Sequence, residues 1–442
     1  MIVLEFKVKG KTTQYAAIDE AIKTAQFVRN KCIRFWMDNR GVGQKELYRH
    51  NTALRAQYPF VKALNSHACQ VAVERAYSSI ARFYDNCKKS VPGKKGYPRF
   101  KKNCRTVTYK TSGWTLSESR KQITFTDKKA IGKLKLKGTW DLNFYQIDQI
   151  KRVRLVRRAD GYYVQFLIRA ENKVEAQPTG KTIGLDIGLK EFYTDSNGYA
   201  EPNPKFYRSG EKRLRFYQRR VSRKKKGSAN RKRAINRLGR AHLKISRQRE
   251  EHAKRAARCV IQSNDLVAYE DLRIKNLVKN HCLAKSINDA GWYQFRKWLE
   301  YFGVKFGRVT VAVNPAYTSQ ECSRCGAQVK KSLSMRTHAC QCGFVLDRDW
   351  NAAINILNLA LSTTGHVGTW VDASTSLSVR LSADSELVEL HAEVIHPNAS
   401  GDLASTEIGA SLFQQAGSLS EESSPRRARS VKESPLAAGK ND

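Results

Sequence analysis

Three carboxylates stand in sequence contexts that suit divalent-metal chemistry, although they lie far apart in the chain. Asp186 lies between two glycines in GLDIG, Glu270 ends the apolar run LVAYE, and Asp349 opens the segment DWNAAINI. If they converge, three like charges repel one another unless cations neutralise them, and hard oxygen ligands select Mg²⁺ or Mn²⁺. Two such ions about 4 Å apart would activate a water and stabilise the leaving oxygen of a phosphodiester. The alternative is that these acids form structural ion pairs with the many cations.

The patterns around the first two acids predict strands. In KTIGLDIGL, apolar residues alternate with Gly184, Asp186 and Gly188, which predicts a strand with one glycine-lined face. A backbone or a metal ion can approach such a face closely, although an exposed acid on an edge strand would give the same pattern. Glu270 lies at the carboxyl end of the second predicted strand, where α/β sheets place active residues. Its neighbour Asp271 is expected to face the other way or to cap the next turn.

The third acid is predicted to lie at the start of a helix. A helix that begins near Asp349 places this acid on the face that packs against the sheet, and the small alanines of that face permit close approach. Asp347 lies two residues earlier and is expected to cap the helix or to face solvent. The packed face also carries Ala352, Ala353 and Ile356. The polar face carries Asn351, Asn355 and Asn358.

Four cysteines form a metal-binding pattern just before this helix. Cys322 and Cys325 are separated by two residues, and Cys340 and Cys342 by one, with fourteen residues between the pairs. Four thiolates in two close pairs on glycine-turned loops suit tetrahedral Zn²⁺. Since four protein ligands leave the ion no open position, a structural role is expected. The second pair is tighter than the usual knuckle, so His338 is a further candidate ligand.

The charge balance indicates a polyanionic partner. The chain has 80 Lys and Arg against 40 Asp and Glu, a net charge of +40, and each cation near a phosphate releases a condensed counterion. Residues 205–258 hold 22 basic residues and 3 acids. Because aromatic and aliphatic residues recur there, we predict two packed helices with a break near Gly227 and a cationic face toward a nucleic-acid backbone. The alternative is a solvated helix face or a disordered arm. The candidate contacts are Arg219, Arg220, Arg223, Lys224, Lys225, Lys226, Arg231, Lys232 and Arg233.

The composition excludes several classes of protein. No run of about 18 uncharged apolar residues occurs, so no membrane span is expected. The first residues, MIVLEFKVKGK, lack the apolar core and cleavage site of a signal peptide. Ten cysteines in such a chain favour reduced thiols and metal ligation over a disulfide framework. We therefore expect a cytoplasmic protein.

The remaining patterns set the order of the elements. Alternation of apolar and polar residues at the start predicts a strand, and helical periodicity replaces it over residues 16–91. Short strand-like runs follow, with Asp160 and Gly161 as a hairpin turn, and residues 171–181 resemble a linker. Residues 360–442 contain 11 acids and 6 basic residues without any period, which predicts a disordered tail. Together these patterns predict a multidomain α/β protein.

The motifs and their order resemble those of a known family. GLDIGLKEF, VAYEDL and TSQECSRCG…CQCGFVLDRDWNAAINI are similar to the corresponding blocks of the transposon-encoded TnpB nucleases, relatives of the type V CRISPR (Cas12) effectors. The resemblance covers residues 1 to about 360, including GYPRFKK, and implies a RuvC-like, RNase H-type domain with an inserted zinc ribbon. Its implied catalytic acids are Asp186, Glu270 and Asp349, and its implied zinc ligands are the four cysteines above.

The resemblance also implies partners and domain bounds. It implies an RNA-guided DNA endonuclease with an RNA guide and a DNA target that carries a short flanking motif. Mg²⁺ or Mn²⁺ would bind at the carboxylates. The implied location is the prokaryotic cytoplasm, and the nucleoid when DNA is bound. The alternatives are a CRISPR-associated Cas12-like effector, a transposase or resolvase without RNA, and a guide-dependent regulator with an inactive nuclease, which the presence of all three acids disfavours. The expected domains are a wedge-like β-barrel (1–15 and 92–172) with a helical insert (16–91), a RuvC-like nuclease domain (181–317 and 344–360), a zinc ribbon (318–343) and a tail (361–442).

Overall fold

The structure is a computed structural model that describes residues 1–171, 173–332 and 334–363. The predicted tail lies outside the described residues except for positions 361–363, which continue the last helix instead of starting a separate segment. Within the described ranges, no helix is long and apolar enough to cross a membrane.

The described residues form fourteen strands, ten helices and three short 3₁₀ turns. The strands are β1 (Ile2–Lys9), β2 (Thr106–Tyr109), β3 (Trp114–Leu116), β4 (Gln122–Phe125), β5 (Gly132–Lys137), β6 (Ile150–Arg158), β7 (Gly161–Ile168), β8 (Thr182–Asp186), β9 (Glu191–Asp195), β10 (Ala200–Pro202), β11 (Leu266–Glu270), β12 (Val309–Val313), β13 (Thr337–Ala339) and β14 (Val345–Asp347). The helices are α1 (Thr12–Asp38), α2 (Gln44–Gln57), α3 (Pro59–Lys62), α4 (Ser66–Lys88), α5 (Phe206–Ser222), α6 (Ala229–Ser263), α7 (Ile274–Leu277), α8 (His281–Ala290), α9 (Trp292–Phe306) and α10 (Arg348–Thr363).

The N-terminal strand joins the strands that follow the helices, as the sequence predicts. Its sheet has the order β2-β6-β7-β1-β5-β4-β3, and every pairing is antiparallel, with β1 lying between β7 and β5. Asp160 and Gly161 form the predicted turn of the β6–β7 hairpin, where Arg158 pairs with Gly161. A positive φ of 138° at this glycine explains the residue type.

The helices α1 to α4 fill the interval between β1 and β2. The first helix begins at Thr12, earlier than the predicted boundary at residue 16, because the alternating pattern of β1 ends at Lys9. Helix α4 is joined to β2 by Arg75, whose guanidinium donates to the hydroxyls of Thr106 and Thr108 at 3.1 and 3.0 Å. The helices and the first sheet therefore share one apolar core.

The second sheet has the order β10-β9-β8-β11-β12. Strands β8, β11 and β12 are parallel, whereas β9 runs antiparallel to β8 and β10 antiparallel to β9. One face packs against α6 and α9, and the other face packs against α10. Leu266 and Ala268 of β11 contribute to the α10 side, so this sheet is buried on both faces, as parallel strands normally are.

The stretch predicted to be a linker is attached to the second sheet. The carboxylate of Asp265 accepts hydrogen bonds from the backbone N–H groups of Thr179 and Gly180 at 2.8 and 2.7 Å, and it also pairs with Arg308. The N–H of Val174 donates to the carbonyl of Lys305 at 2.7 Å. Residues 173–181 therefore follow the second sheet along a defined path.

Candidate functional site

The three predicted carboxylates lie at the ends of elements that are neighbours in space. Asp186 is the last residue of β8 and Glu270 the last residue of β11, and these two strands are adjacent and parallel, with Tyr269 opposite Leu185. Helix α10 packs across β8 and β11 and carries Asp349 in its first turn. The second sheet and its covering helix therefore direct all three acids to the same edge.

Gly184 allows this helix to approach the strand. A Cβ atom at this position would collide with the carbonyl oxygen of Ala353 and would lie 2.8 Å from the N atom of Leu357. The close backbone approach that the glycine-lined face of β8 predicts is therefore confirmed. Because Asp186 follows two residues later on the same face of the strand, it lies below the first turn of α10.

The electrostatics of the acids indicate mutual proximity. Burial, followed by the negative charges of Glu270 and Asp349, raises the pKa of Asp186 well above its ordinary value, while Arg348 acts in the opposite direction. Burial likewise raises the pKa of Glu270, against a hydrogen bond from Thr318 that lowers it. The site without metal therefore disfavours full ionisation, and a nearby divalent cation would favour it.

Asp349 differs from the other two acids because it has cationic partners. Its Oδ2 lies 3.2 Å from the guanidinium of Arg336, and its Oδ1 lies 2.9 Å from that of Arg348. Neither arginine is among the site residues predicted from the sequence. Asp349 therefore makes ion pairs of the kind that the alternative interpretation expects.

Asp347 caps α10, as predicted. Its Oδ1 accepts from the backbone N–H groups of Asp349 and Trp350 at 2.8 and 3.3 Å. This carboxylate is thus occupied by the helix terminus, which separates its role from that of Asp349.

The three carboxylates do not form a cluster as tight as that of the four cysteines. Among the described residues, only one group of three or more Cys, His, Asp or Glu has ligand atoms that all lie within 4.8 Å of one another, and it consists of the four cysteines. The three acids have the donor chemistry for Mg²⁺ or Mn²⁺.

Thr318 lies between the second sheet and the cysteines and contacts the site, although the sequence patterns did not predict it. The hydroxyl of Thr318 donates to Glu270 Oε1 at 2.6 Å. Asn351 and Asn355, predicted on the polar face of the last helix, are buried, whereas Asn358 is exposed. The reason is that residues 318–323 fold over α10 and present backbone groups that the asparagine amides satisfy.

The four predicted zinc ligands form a compact cluster. The Sγ atoms of Cys322 and Cys342 lie 3.8 Å apart and those of Cys325 and Cys340 lie 3.5 Å apart. Each pair is followed by a glycine with a φ of 74° or 78°, as a tight knuckle requires. His338 is buried nearby and contacts Lys331, but it does not belong to the cluster.

The pKa values of two thiols in this cluster, Cys322 and Cys325, shift in opposite directions. Burial would raise the pKa of Cys322, but hydrogen bonds from the N–H groups of Cys325 and Arg324 lower it to about 6. The N–H of Ala327 would lower the pKa of Cys325, but its contacts with the neighbouring thiols raise it to about 12. Four thiolates therefore need a cation, and their number and spacing fit Zn²⁺.

The basic region forms two packed helices, as predicted. Helices α5 and α6 meet through Leu214, Val221, Leu238 and Ile245, and the turn between them contains Gly227 with a φ of 84°. Eight of the nine candidate cations are exposed. The exception is Arg231, whose guanidinium donates to the carbonyls of Val221 and Lys224 at 3.0 and 2.9 Å and so terminates α5.

Helix α6 also contacts the first sheet. Arg240 donates to the carbonyl of Ala159 at 3.2 Å, and Arg247 donates to Asp160 and to the hydroxyl of Tyr163 at 2.8 Å each. These contacts hold the helical hairpin, which carries the exposed cations, against the β6–β7 turn.

Comparisons with known proteins cover most of the described chain. The family model described as "Probable transposase" (OrfB, IS605) matches residues 165–281, and "Cas12f1-like, TNB domain" matches residues 292–356. A Streptomyces pristinaespiralis protein named "Putative RNA-guided DNA endonuclease" is 32% identical over 310 residues, which are 69% of this chain and 74% of that protein. "Putative RNA-guided DNA endonuclease InsQ" of Escherichia coli K12 is 27% identical over 64% of this chain and 71% of that protein. The solved "Cas12f1-sgRNA-target DNA complex" aligns with a TM-score of 0.47 and 14% identity over 78% of this chain and 82% of that chain.

Proposed function

The chain belongs to the TnpB family of transposon-encoded proteins, and on this premise we propose that it is an RNA-guided DNA endonuclease. The observation that carries the proposal is the meeting of Asp186, Glu270 and Asp349 at one edge of the second sheet, with the pKa of Asp186 raised by burial and by the other two charges. Guide RNA and target DNA are the proposed partners, since base pairing with a guide supplies sequence specificity that the protein need not read itself.

The strand order supports a RuvC-like, RNase H-type assignment. Three antiparallel strands (β10, β9 and β8) are followed by two strands parallel to β8, and α10 covers the catalytic side. We assign the nuclease domain to residues 181–317 and 344–360, and the zinc ribbon to residues 318–343. The first sheet (1–11 and 92–172) would form the wedge-like β-barrel, and residues 12–91 its helical insert.

The three acids would hold two divalent cations, Mg²⁺ or Mn²⁺. When bound, such ions activate water and stabilise the leaving oxygen of the cleaved phosphodiester. Asp349 must exchange part of its pairing with Arg336 and Arg348 for the cations. The released guanidinium groups would then lie beside the bound backbone, where they bind phosphate oxygens well.

The α5–α6 hairpin is the proposed contact to the nucleic-acid backbone. Its cations are exposed, and they project from a helical pair that the β6–β7 turn holds in place. Arg231 is omitted from this proposal because it terminates α5. The remaining candidates are Arg219, Arg220, Arg223, Lys224, Lys225, Lys226, Lys232 and Arg233.

Copurifying RNA and guided cleavage test this function. RNA of discrete, nuclease-resistant length should copurify, and the reconstituted complex should cut DNA that matches the guide. Asp349→Ala should abolish cleavage while DNA binding remains. Asp347→Ala is the matched control, because it removes a helix cap worth about 1 kcal/mol and leaves the metal ligands in place.

Two results would contradict the proposal. A preparation free of nucleic acid that cuts DNA unaided would favour a transposase or resolvase without RNA. Full cleavage by Asp349→Ala would remove this acid from the site, and equal loss from both variants would mean that the helix face is wrongly assigned.

A further inference from the structure

Glu270 receives a hydrogen bond from a residue that lies outside the catalytic motifs. Thr318 Oγ1 donates to Glu270 Oε1 at 2.6 Å, and the two residues are only 3% and 8% exposed. A short bond from a buried hydroxyl to a carboxylate fixes the orientation of the carboxylate group. Among the described residues, Glu270 Oε2 has no hydrogen-bond donor, so it stays available to a cation.

Thr318 is in turn held by the helix that carries the third acid. Asn355 Nδ2 donates to the carbonyls of Thr318 and Glu321 at 2.9 and 2.8 Å. Asn351 Nδ2 donates to the same Glu321 carbonyl at 2.7 Å, and its Oδ1 accepts from the N–H of Ser323 at 3.0 Å. Both asparagines are buried, so these bonds are shielded from competing water.

These bonds connect the zinc cluster, α10 and Glu270 through one segment. Residues 318–323, which we call the bracket, begin at the threonine that binds Glu270 and include Cys322, the first zinc ligand. Like-charged carboxylates repel, so their separation before metal binding has to be set by other contacts. The bracket supplies such contacts between β11 and α10.

We propose that the bracket positions Glu270 relative to Asp349 for metal binding, with Thr318 and Asn355 as positioning residues. The proposal rests on the proposed function and deepens it, because it gives the zinc ribbon a part in assembling the carboxylate site. Groups that orient metal ligands typically change metal affinity by about 10- to 100-fold when they are removed.

Mn²⁺ binding to the purified full-length chain, free of nucleic acid, tests the proposal without cleavage. The electron paramagnetic resonance signal of free Mn²⁺ gives the affinity directly. Thr318→Val keeps the shape of the side chain but loses the hydroxyl, and it should weaken Mn²⁺ binding by about tenfold or more. Thr318→Ser keeps the hydroxyl and should restore most of the affinity, which a purely structural role would not predict.

Thr337→Val is the matched control. This threonine also lies in the ribbon but is exposed, so the same substitution should leave Mn²⁺ affinity unchanged. Zinc content is measured in each variant to verify that the cysteine cluster is intact. Combining Thr318→Val with Asn355→Leu should cost less than the sum of the two single losses, because both act through one segment.

The outcomes separate this proposal from the function on which it rests. If Glu270→Gln loses Mn²⁺ affinity while Thr318→Val keeps it, the positioning role is wrong and the metal site stands. If Thr318→Ser fails to recover affinity, the hydroxyl is not the cause and the proposal falls. If Glu270→Gln itself binds Mn²⁺ like the unmodified chain, the carboxylate site and its bracket are both wrong.

Discussion

A methyl group added at Gly184 is expected to separate α10 from β8 and to disable the nuclease site. The Cβ of Gly184→Ala would collide with the Ala353 carbonyl oxygen, and its distance to Leu357 N would have to widen from 2.8 Å to at least the 3.4 Å of ordinary contact. Both obstructing atoms belong to backbone, so the helix must move as a unit. Overpacking of this kind costs about 1–3 kcal/mol of unfolding free energy.

The same displacement should reach the carboxylates that we propose as catalytic. Asp186 follows Gly184 on β8 and Asp349 lies on the displaced helix, and a shift of about 1 Å at an active site costs roughly 100-fold in rate. Guided DNA cleavage should therefore fall by about this factor, while DNA affinity stays unchanged. Gly43→Ala is the control, since its Cβ meets only the flexible end of Glu46 at 3.0 Å. Unchanged cleavage and denaturant stability of Gly184→Ala would refute the reasoning.

Three further predictions concern the zinc cluster, the basic hairpin and Asp186. Cys340→Ala should remove zinc and His338→Gln should retain it, as metal analysis will measure; full zinc in the cysteine variant would make the histidine a ligand. Replacing the three lysines at 224–226 with glutamine should reduce the slope of log affinity against log salt by up to about 3, and an unchanged slope would exclude them as phosphate contacts. The pKa of Asp186 is raised in the folded state, so its contribution to stability is present below the ordinary pKa of about 4 and is lost as pH rises through the raised value. Thermal melts without Mg²⁺ should show a weaker fall of stability with pH in Asp186→Asn, and identical pH dependence would contradict the raised pKa of Asp186.

The faces on which the carboxylates lie could be predicted because each face follows from residues close together in the sequence. Alternation around Gly184 and Asp186 fixes the face of a strand, and the helical spacing of Ala353 fixes the face of α10. Neither prediction depends on which distant segment of the chain packs against these residues. The cysteine pairs and the β6–β7 turn are predictable for the same reason, since tight turns are encoded by the residues within them.

The missed residues depend on contacts between distant segments. The sequence predicts that Asn355 faces solvent, but the bracket covers it in the structure. Its hydrogen bond to the carbonyl of Thr318 joins positions 37 residues apart. Arg336 reaches Asp349 across the ribbon hairpin, and Arg231 is occupied only because α6 turns back along α5. Composition and periodicity contain no signal for such partners.

We propose that Asp186, Glu270 and Asp349 jointly hold divalent cations. Anomalous X-ray scattering from crystals of the full-length protein with its guide RNA, grown with Mn²⁺, locates these ions directly. We expect two manganese peaks about 4 Å apart, with oxygen atoms of all three carboxylates in contact with them. Manganese bound elsewhere, with Asp349 still paired to its two arginines, would contradict it.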